Sequence, residues 1–407
     1  LLSPEGSILY YNKDSLFEYS YGFKSLGWYK RKEQFMDGIT LIAGTWDEEG
    51  GRSSKIAEMI YSGIIKSGVF GETFFENGGH YQKLSCLVPD LQLTLMSRKD
   101  QVILWMPNIP NDLPKLKNVK ELYPKSILVS SKRNTDNEYA FQDIMAHALS
   151  KKSNLVVEFS RSSKTKEIYA RLLDPLGNQW FAGADMMELG VVIAKRAKQL
   201  SMVTRMGTVQ SPEAPYELKN SYELEKFIEY IKHAGNKFTE LIRPANGVTR
   251  FLGNASFRCE SGFPSFRTPE GMIYISKRNV DKTSIGLDSF VHVGMNSGKV
   301  WYRGENKPSV DTPIQLALYN LLPNINFMLH SHVYVKDAPF TQRMIPCGGL
   351  EEVDEIAAEI ACTDLIDTGS FAINLKGHGS ILFMANPKLY QYYIFYSRPV
   401  PEVQTLN

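Results

Sequence analysis

Cysteine is scarce: four in 407 residues, at Cys86, Cys259, Cys347 and Cys362, with no Cys-x-x-Cys spacing. That excludes a disulfide framework and argues against a thiolate metal site, leaving reduced, mostly buried thiols. No apolar run approaches the ~18 residues that cross a bilayer. The opening residues, Leu-Leu-Ser-Pro-Glu-Gly, lack the basic segment and apolar core of a secretion signal. The chain as given therefore reads as cytoplasmic. Charge of one sign is lacking too. Forty-six Lys and Arg against 44 Asp and Glu leave a net charge of +2, with no long basic run, which excludes nucleic-acid binding by bulk electrostatics. Internal repeats and low-complexity tracts are absent.

What is present is enough apolar material, 43% of the chain against 22% charged, for two cores of ~150–200 residues each. The polar, proline-bearing segment Gly207–Tyr216 separates two helical patterns and reads as the linker, giving domains over 1–212 and 213–407. In the first, apolar runs at 40–44, 102–106, 126–130 and 154–158 alternate with helical patterns at 53–67, 138–151 and 187–201. This predicts a Rossmann-like layered α/β domain with a largely parallel sheet. In the second, a helix near 222–241 precedes short strands and helices at 312–321 and 351–361.

The first domain offers one candidate site. Residues 39–55 read as a strand, a glycine-rich loop and a helix start, where free amides with Arg52, Ser53 and Ser54 could hold a nucleotide or phosphate. The spacing is neither a P-loop nor Gly-x-Gly-x-x-Gly, and Asp47, Glu48 and Glu49 would repel an anion. The same loop fits a plain connector with Ser53 as N-cap. Arg171–Asn178 reads as a turn between strands.

The second domain is more specific. In Phe-Met-Leu-His-Ser-His-Val, His330 and His332 alternate along an apolar strand and project to one face. Two polar groups there are costly to bury unless something ligates them. His378, in Gly-His-Gly, would complete a three-imidazole set suited to a divalent ion, foremost Zn2+, with a position open for substrate oxygen. His80, His147, His233 and His292 have no comparable setting and read as core, cap or surface residues. Asp311, in Lys-Pro-Ser-Val-Asp-Thr-Pro, suits both the N-cap of the 312–321 helix and a carboxylate beside the ion.

These residues carry a family resemblance. The stretch from about Lys307 to Ile345 resembles the class II aldolase/epimerase/adducin superfamily, which has a Lys-Pro-Ser-Ser-(Glu/Asp) turn, a His-x-His strand and a later Asn/Gly-His-Gly. Phe251–Arg258 is similar to its Thr-x-Gly-Asn-Ile-Ser-x-Arg, and Val280–Val293 to the segment after its Thr-Pro-Ser-Gly loop. Ile345-Pro-Cys-Gly-Gly349 falls where the family often has Ile-Pro before Gly or Thr. The motifs keep the family's order from roughly Glu223 to the C-terminus.

The resemblance implies a class II aldolase-like α/β/α domain and a metal-dependent lyase. Its reaction would be reversible aldol cleavage of a small sugar phosphate or similar anionic polyol through a metal-stabilised enediolate. It places His330, His332 and His378 as metal ligands and Asp311 as the catalytic carboxylate. Asn254, Ser309, Lys277 and Arg278 would hold the substrate. Position 311 is Glu in aldolases that resemble fuculose-phosphate aldolase and Asp in ribulose-phosphate 4-epimerases. An epimerase is therefore one alternative, and a non-enzymatic adducin-like binding module with a nucleotide-sensing first domain another.

Three departures weigh in the choice. Ser276-Lys-Arg-Asn279 replaces the family's phosphate loop, with Lys277 and Arg278 supplying charge instead. Val310 replaces a hydroxyl residue. The segment after His332 is too short for the epimerases' second aspartate, and the nearest carboxylate, Asp337, reads as a surface residue. The last departure favours the aldolase. By resemblance the chain is a homo-oligomer, a tetramer, in which a phenol of Tyr390–Tyr396 could reach a neighbour's metal, although core packing suits most of those rings better.

Overall fold

The computed structural model describes residues 38–94, 102–134, 141–161, 165–242, 252–259, 271–296, 298–363, 369–387 and 393–397. The opening residues of the chain, Phe251, and Tyr390 and Tyr392 of the aromatic tail lie outside them. The described residues form two compact units that divide between Met202 and Val203.

In the first unit the run Ile-Thr-Leu-Ile-Ala is buried throughout and forms the core of β1 (Gly38–Asp47). β2 (Glu72–His80), β3 (Val102–Trp105), β4 (Ile127–Arg133), β5 (Leu155–Arg161), β6 (Ile168–Leu173) and β7 (Gln179–Gly183) complete a seven-stranded sheet in the order β2-β1-β3-β4-β5-β6-β7. The strands from β2 through β5 are parallel, and β6 and β7 are antiparallel. Parallel neighbours need crossovers, supplied by helices at Lys55–Ser67, Tyr81–Thr94 and Phe141–Lys151. The Rossmann-like α/β layering is therefore present. Sequence patterning misses β2, because Phe-Phe-Glu-Asn-Gly-Gly is a half-exposed edge strand that reads as a loop. Residues 171–178 do turn between β6 and β7: Asp174 Oδ1 accepts from the amides of Leu176 and Asn178, both at 3.0 Å.

The glycine-rich loop after β1 is held by its own chain. Thr45 N donates to Arg52 O at 2.8 Å, Gly51 N to Gly79 O at 3.0 Å, and Ser54 N to Asn77 Oδ1 at 2.8 Å. Ser54 rather than Ser53 caps the helix, its hydroxyl accepting from Ala57 N. These donors are spent inside the unit, as a connector requires.

The second unit is built on an eight-stranded sheet, ordered β15-β16-β13-β9-β10-β11-β12-β8. Its strands are β8 (Thr208–Gln210), β9 (Asn254–Arg258), β10 (Ile273–Ser276), β11 (Phe290–Asn296), β12 (Lys299–Tyr302), β13 (Phe327–Ser331), β15 (Ser370–Leu375) and β16 (Gly379–Met384). A separate pair joins β14 (Tyr334–Val335) to β17 (Phe395–Tyr396). β8 lies within the segment read as a linker: Thr-Val-Gln pairs with the open edge of β12, and the prolines follow it.

One face of the sheet is covered by the helix Tyr222–Ile242. Its Leu224, Phe227, Ile228, Ile231, Ala234 and Phe238 recur at helical spacing and pack with Phe257, Phe327 and Leu329. On the other face, helices Thr312–Leu321 and Glu351–Ala361 pack on Met328, Phe371, Ile373, Ile381 and Phe383. The strand period of two thus divides β13, with Phe327 and Leu329 facing one layer and Met328 the other. His330 shares the side of Met328, so it projects where the helices starting at Thr312 and Glu351 pack. No helix of the described residues is long and apolar enough to cross a membrane.

Burial pushes His147 in the first unit and His292 in the second down to about 4. Both are neutral when folded, whereas an unfolded histidine takes a proton near 6.5. Between these values the unfolded chain binds more protons, so stability is complete above about pH 6.5 and falls as pH drops toward 4. Thermal melts across that window should show the midpoint falling with pH, with His292→Gln losing part of the dependence. The contribution of His292 at the acid end is on the order of 2 kcal/mol. A midpoint flat from pH 6.5 to 4.5 would contradict this account.

Candidate metal centre

His330 lies in β13, paired with Ile381 of β16 on one side and Asn254 of β9 on the other. The strand ends at Ser331, so the continuous His-x-His strand of the sequence reading is corrected: His332 sits in the bend just beyond it. Its ring still reaches the same side. Ring centroids are 5.1 Å apart for His330 and His332, 4.7 Å for His330 and His378, and 5.0 Å for His332 and His378. One ring nitrogen from each lies within 4.8 Å of the other two. Backbone proximity makes this possible. A side chain on Gly379, at φ +157°, would stand 1.9 Å from Ser331 O, and one on Gly253, at φ +80°, 2.4 Å from His330 O.

Two of the rings have fixed orientations. His330 Nδ1 donates to the Ser380 carbonyl at 3.0 Å, and His378 Nδ1 to Glu352 Oε1 at 2.8 Å. With Nδ1 engaged, Nε2 of each ring points inward. Both Nε2 atoms are buried and have no hydrogen-bond partner. Burial, then His378, pushes His330 down to about 4, so it is neutral at ordinary pH. Burial opposes a charge on His378, but the Glu352 carboxylate outweighs it and raises the ring well above its usual range, while burial raises Glu352 itself. One proton between Nδ1 and the carboxylate satisfies both. A neutral His330 with its lone pair inward, and a His378 whose inward proton a bound cation would displace, each with its orienting partner in place, form a donor set that fits a divalent ion.

Asp311 adjoins this cluster. It occupies the N-cap position of the helix Thr312–Leu321, yet its side chain makes no cap bond. Its Oδ2 lies 3.9 Å from His330 Nε2 and accepts from Asn254 Nδ2 at 3.0 Å and Ser309 Oγ at 3.4 Å. Asn254 Nδ2 also reaches Ser309 Oγ at 3.0 Å, and Asn254 Oδ1 accepts from Gln315 Nε2. Asn254 and Ser309 are therefore brought to Asp311. Lys277 and Arg278 follow β10, where their backbone pairs with Lys307 and Pro308, just before Ser309. Neither side chain has a partner among the described residues, and Arg278 is exposed. Asp337 is exposed in a turn after β14. Of the tail, Phe395 packs edge-on against Phe238 at 5.0 Å, while Tyr396 is partly exposed beside Tyr334.

Sequence reasoning missed four neighbours. Nothing in the sequence singles out Glu352, in the first turn of its helix, or Gln315, inside another. Cys347 entered as one of four scattered thiols and within Ile-Pro-Cys-Gly-Gly, yet its Sγ lies 3.7 Å from Asp311 Oδ1. Lys282, in the polar run Asn-Val-Asp-Lys-Thr, is buried, its Nζ donating to Val280 O at 3.0 Å. Burial pushes Lys282 down to about 8, against the pull of Asp281 and Asp311.

The class follows from sheet, helices and histidine cluster together. Residues 240–382, under half of the chain, match the family model of the Class II Aldolase and Adducin N-terminal domain. The second unit is thus similar, over those residues, to a class II aldolase/adducin-type domain, and the chain also contains a Rossmann-like α/β unit. Among solved structures, an L-fuculose 1-phosphate aldolase from Glaciozyma antarctica PI12 is 11% identical, with 42% of this chain and 70% of that one covered at a TM-score of 0.26. A DNA/pantothenate metabolism flavoprotein from Streptococcus pneumoniae is 10% identical, covering 40% and 99% at 0.31. The C-terminal domain of a coenzyme A biosynthesis bifunctional protein is 11% identical, covering 41% and 96% at 0.29. At these scores none of the three bears on the chemistry of this chain.

Replacing His330, His332 or His378 with Ala should each remove most of one bound divalent ion per chain, read by elemental analysis. Glu352→Gln keeps the ligands but weakens the orienting bond to His378, so ion affinity should fall about 10–100-fold in chelator competition. Unchanged affinity would reduce Glu352 to a packing role.

Proposed function

We propose that the second unit catalyses divalent-metal-dependent aldol cleavage and condensation of a small sugar phosphate or similar anionic polyol, with Zn2+ as the ion. The observation that carries this is the pair of buried, unpartnered Nε2 atoms of His330 and His378 beside Asp311, a carboxylate at an N-cap position that forgoes capping. His330, His332 and His378 would hold the ion, which when bound supplies Lewis-acid polarisation of a substrate carbonyl.

The chain's own residues do the rest. Asn254 and Ser309 hold Asp311 Oδ2 against His330. From there the carboxylate moves the proton at the carbon next to the carbonyl as the carbon–carbon bond breaks or forms. Lys277 and Arg278, uncommitted at the end of β10, take the anionic end of the substrate by charge-assisted bonds. A 4-epimerase would break the same bond, rotate the aldehyde and close it again. The exposure of Asp337 favours the aldolase, since no second acid is offered from that segment. An adducin-like binding role would leave the buried imidazoles without a use.

Asp311→Asn should retain the ion and lose about 10²–10⁴-fold in rate in a screen of ketose phosphates for aldehyde release. Arg278→Ala should chiefly raise KM for anionic substrates. Loss of the ion from Asp311→Asn would make Asp311 a ligand and favour the epimerase, and stereochemical inversion without free aldehyde would overturn the aldolase.

For the first unit we propose nucleotide or phosphate binding, placed at a cavity of about 380 Å³ beside the C-terminal end of β3 rather than in the loop after β1. Trp105, Lys115, Lys117, Ser130, His147 and Lys151 line it, joining an aromatic ring to cations where parallel sheets commonly bind ligands. Nucleoside phosphates should raise the melting temperature of the full chain, and less so in Lys115→Ala/Lys117→Ala. No shift with any nucleotide or with inorganic phosphate would remove this reading.

A further inference from the structure

Two groups of possible ligands meet at His378. The first is the three-histidine set. In the second, a carboxylate oxygen of Asp311, Cys347 Sγ and a ring nitrogen of His378 all lie within 4.8 Å of one another. We propose that Cys347 is a thiolate ligand that joins His378 on the ion, which makes the site a mixed histidine–thiolate centre, with Asp311 between them keeping its role as the proton-moving carboxylate. The inference rests on the reading of the site as a metal centre.

Cysteine alone would not carry this, but its surroundings point to a ligand. His378 is 1% exposed, its Nδ1 is bound to Glu352, and its remaining Nε2 closes no well-formed hydrogen bond, the ring interacting with the Cys347 thiol instead. The turn that presents Cys347, closed by Gly349 N donating to Pro346 O at 2.9 Å, leads directly into the helix Glu351–Ala361. That helix carries Glu352, so one short segment delivers both the thiol and the group that orients its co-ligand. Asp311 Oδ1 faces the sulfur while Oδ2 faces His330. On coordination the thiol releases its proton to solvent and the S–H···Oδ1 contact is exchanged for a sulfur–metal bond. A thiolate shifts preference toward Zn2+ and Co2+ and away from Mg2+ and Mn2+, which favour oxygen donors.

The test uses the full chain loaded with Co2+. Wild type should bind cobalt with visible ligand-field bands and a near-ultraviolet thiolate-to-cobalt charge-transfer band. Cys347→Ser should keep cobalt and lose only the charge-transfer band. Ligand-field bands without that band in wild type, or a band that survives in Cys347→Ser, would overturn the thiolate assignment and leave the three-histidine reading standing. Failure of wild type to bind cobalt would instead sink that reading and this inference with it. Should Cys347→Ser not fold, alkylation of wild type decides. Cys347 protected from iodoacetamide by cobalt and reactive after chelation supports coordination, and equal reactivity in both states refutes it.

Discussion

The second unit depends on the antiparallel pairing of β13 with β16. Pairing His330 with Ile381 fixes which face the imidazole enters, and Ser331 opposite Ser380 brings the chain close to the turn that carries His378. A slip of one residue would turn His330 toward the layer of Phe227 and Phe257, away from His378 and Asp311. The register is held by apolar residues on both faces, Phe327 and Leu329 against one helix and Met328 against two others. The hydrophobic pattern that folds the sheet is thus also what aims the ligand.

Burying so many polar groups together is costly unless each is answered. Glu352 answers His378 and Ser380 answers His330, while Asn254 and Ser309 answer one oxygen of Asp311. Left unanswered are the inward Nε2 atoms of His330 and His378, together with Oε1 of Gln315. A cluster maintained for stability alone would close such bonds, or replace the groups with apolar ones of similar size, which cores tolerate well. Two imidazoles oriented by their outer nitrogens and open at their inner ones are what a site for a bound ion requires.

Much of this was legible in the chain. The helix at 351–361 follows from apolar periodicity with one buried face, whereas the helix at 312–321, buried on nearly every side, and the parallel strands of the first unit, buried on both faces, show as near-continuous apolar runs. The histidines stood out because two imidazoles in an apolar run have no ordinary purpose. β2 and β8 were hidden because edge strands bury too little to leave a pattern. Glu352 and Lys282 were hidden for a different reason: a single polar residue carries no period, and whether it is buried depends on pairings remote in sequence. Glu352 lies 26 positions from the histidine it orients.

Cys347 shows where composition misleads. Scattered cysteines without paired spacing argue against a thiolate site when the ligands are assumed to come from cysteine alone. In a mixed site the spacing that matters runs between different residue types on different elements. Here those are a cap position at 311, a turn at 347 and a hairpin end at 378, all within reach of one point. No local window of sequence contains such a set. It becomes visible only once the sheet has brought the hairpin end beside the two helix starts, and it is the fold, rather than any motif, that turns an isolated thiol into a donor.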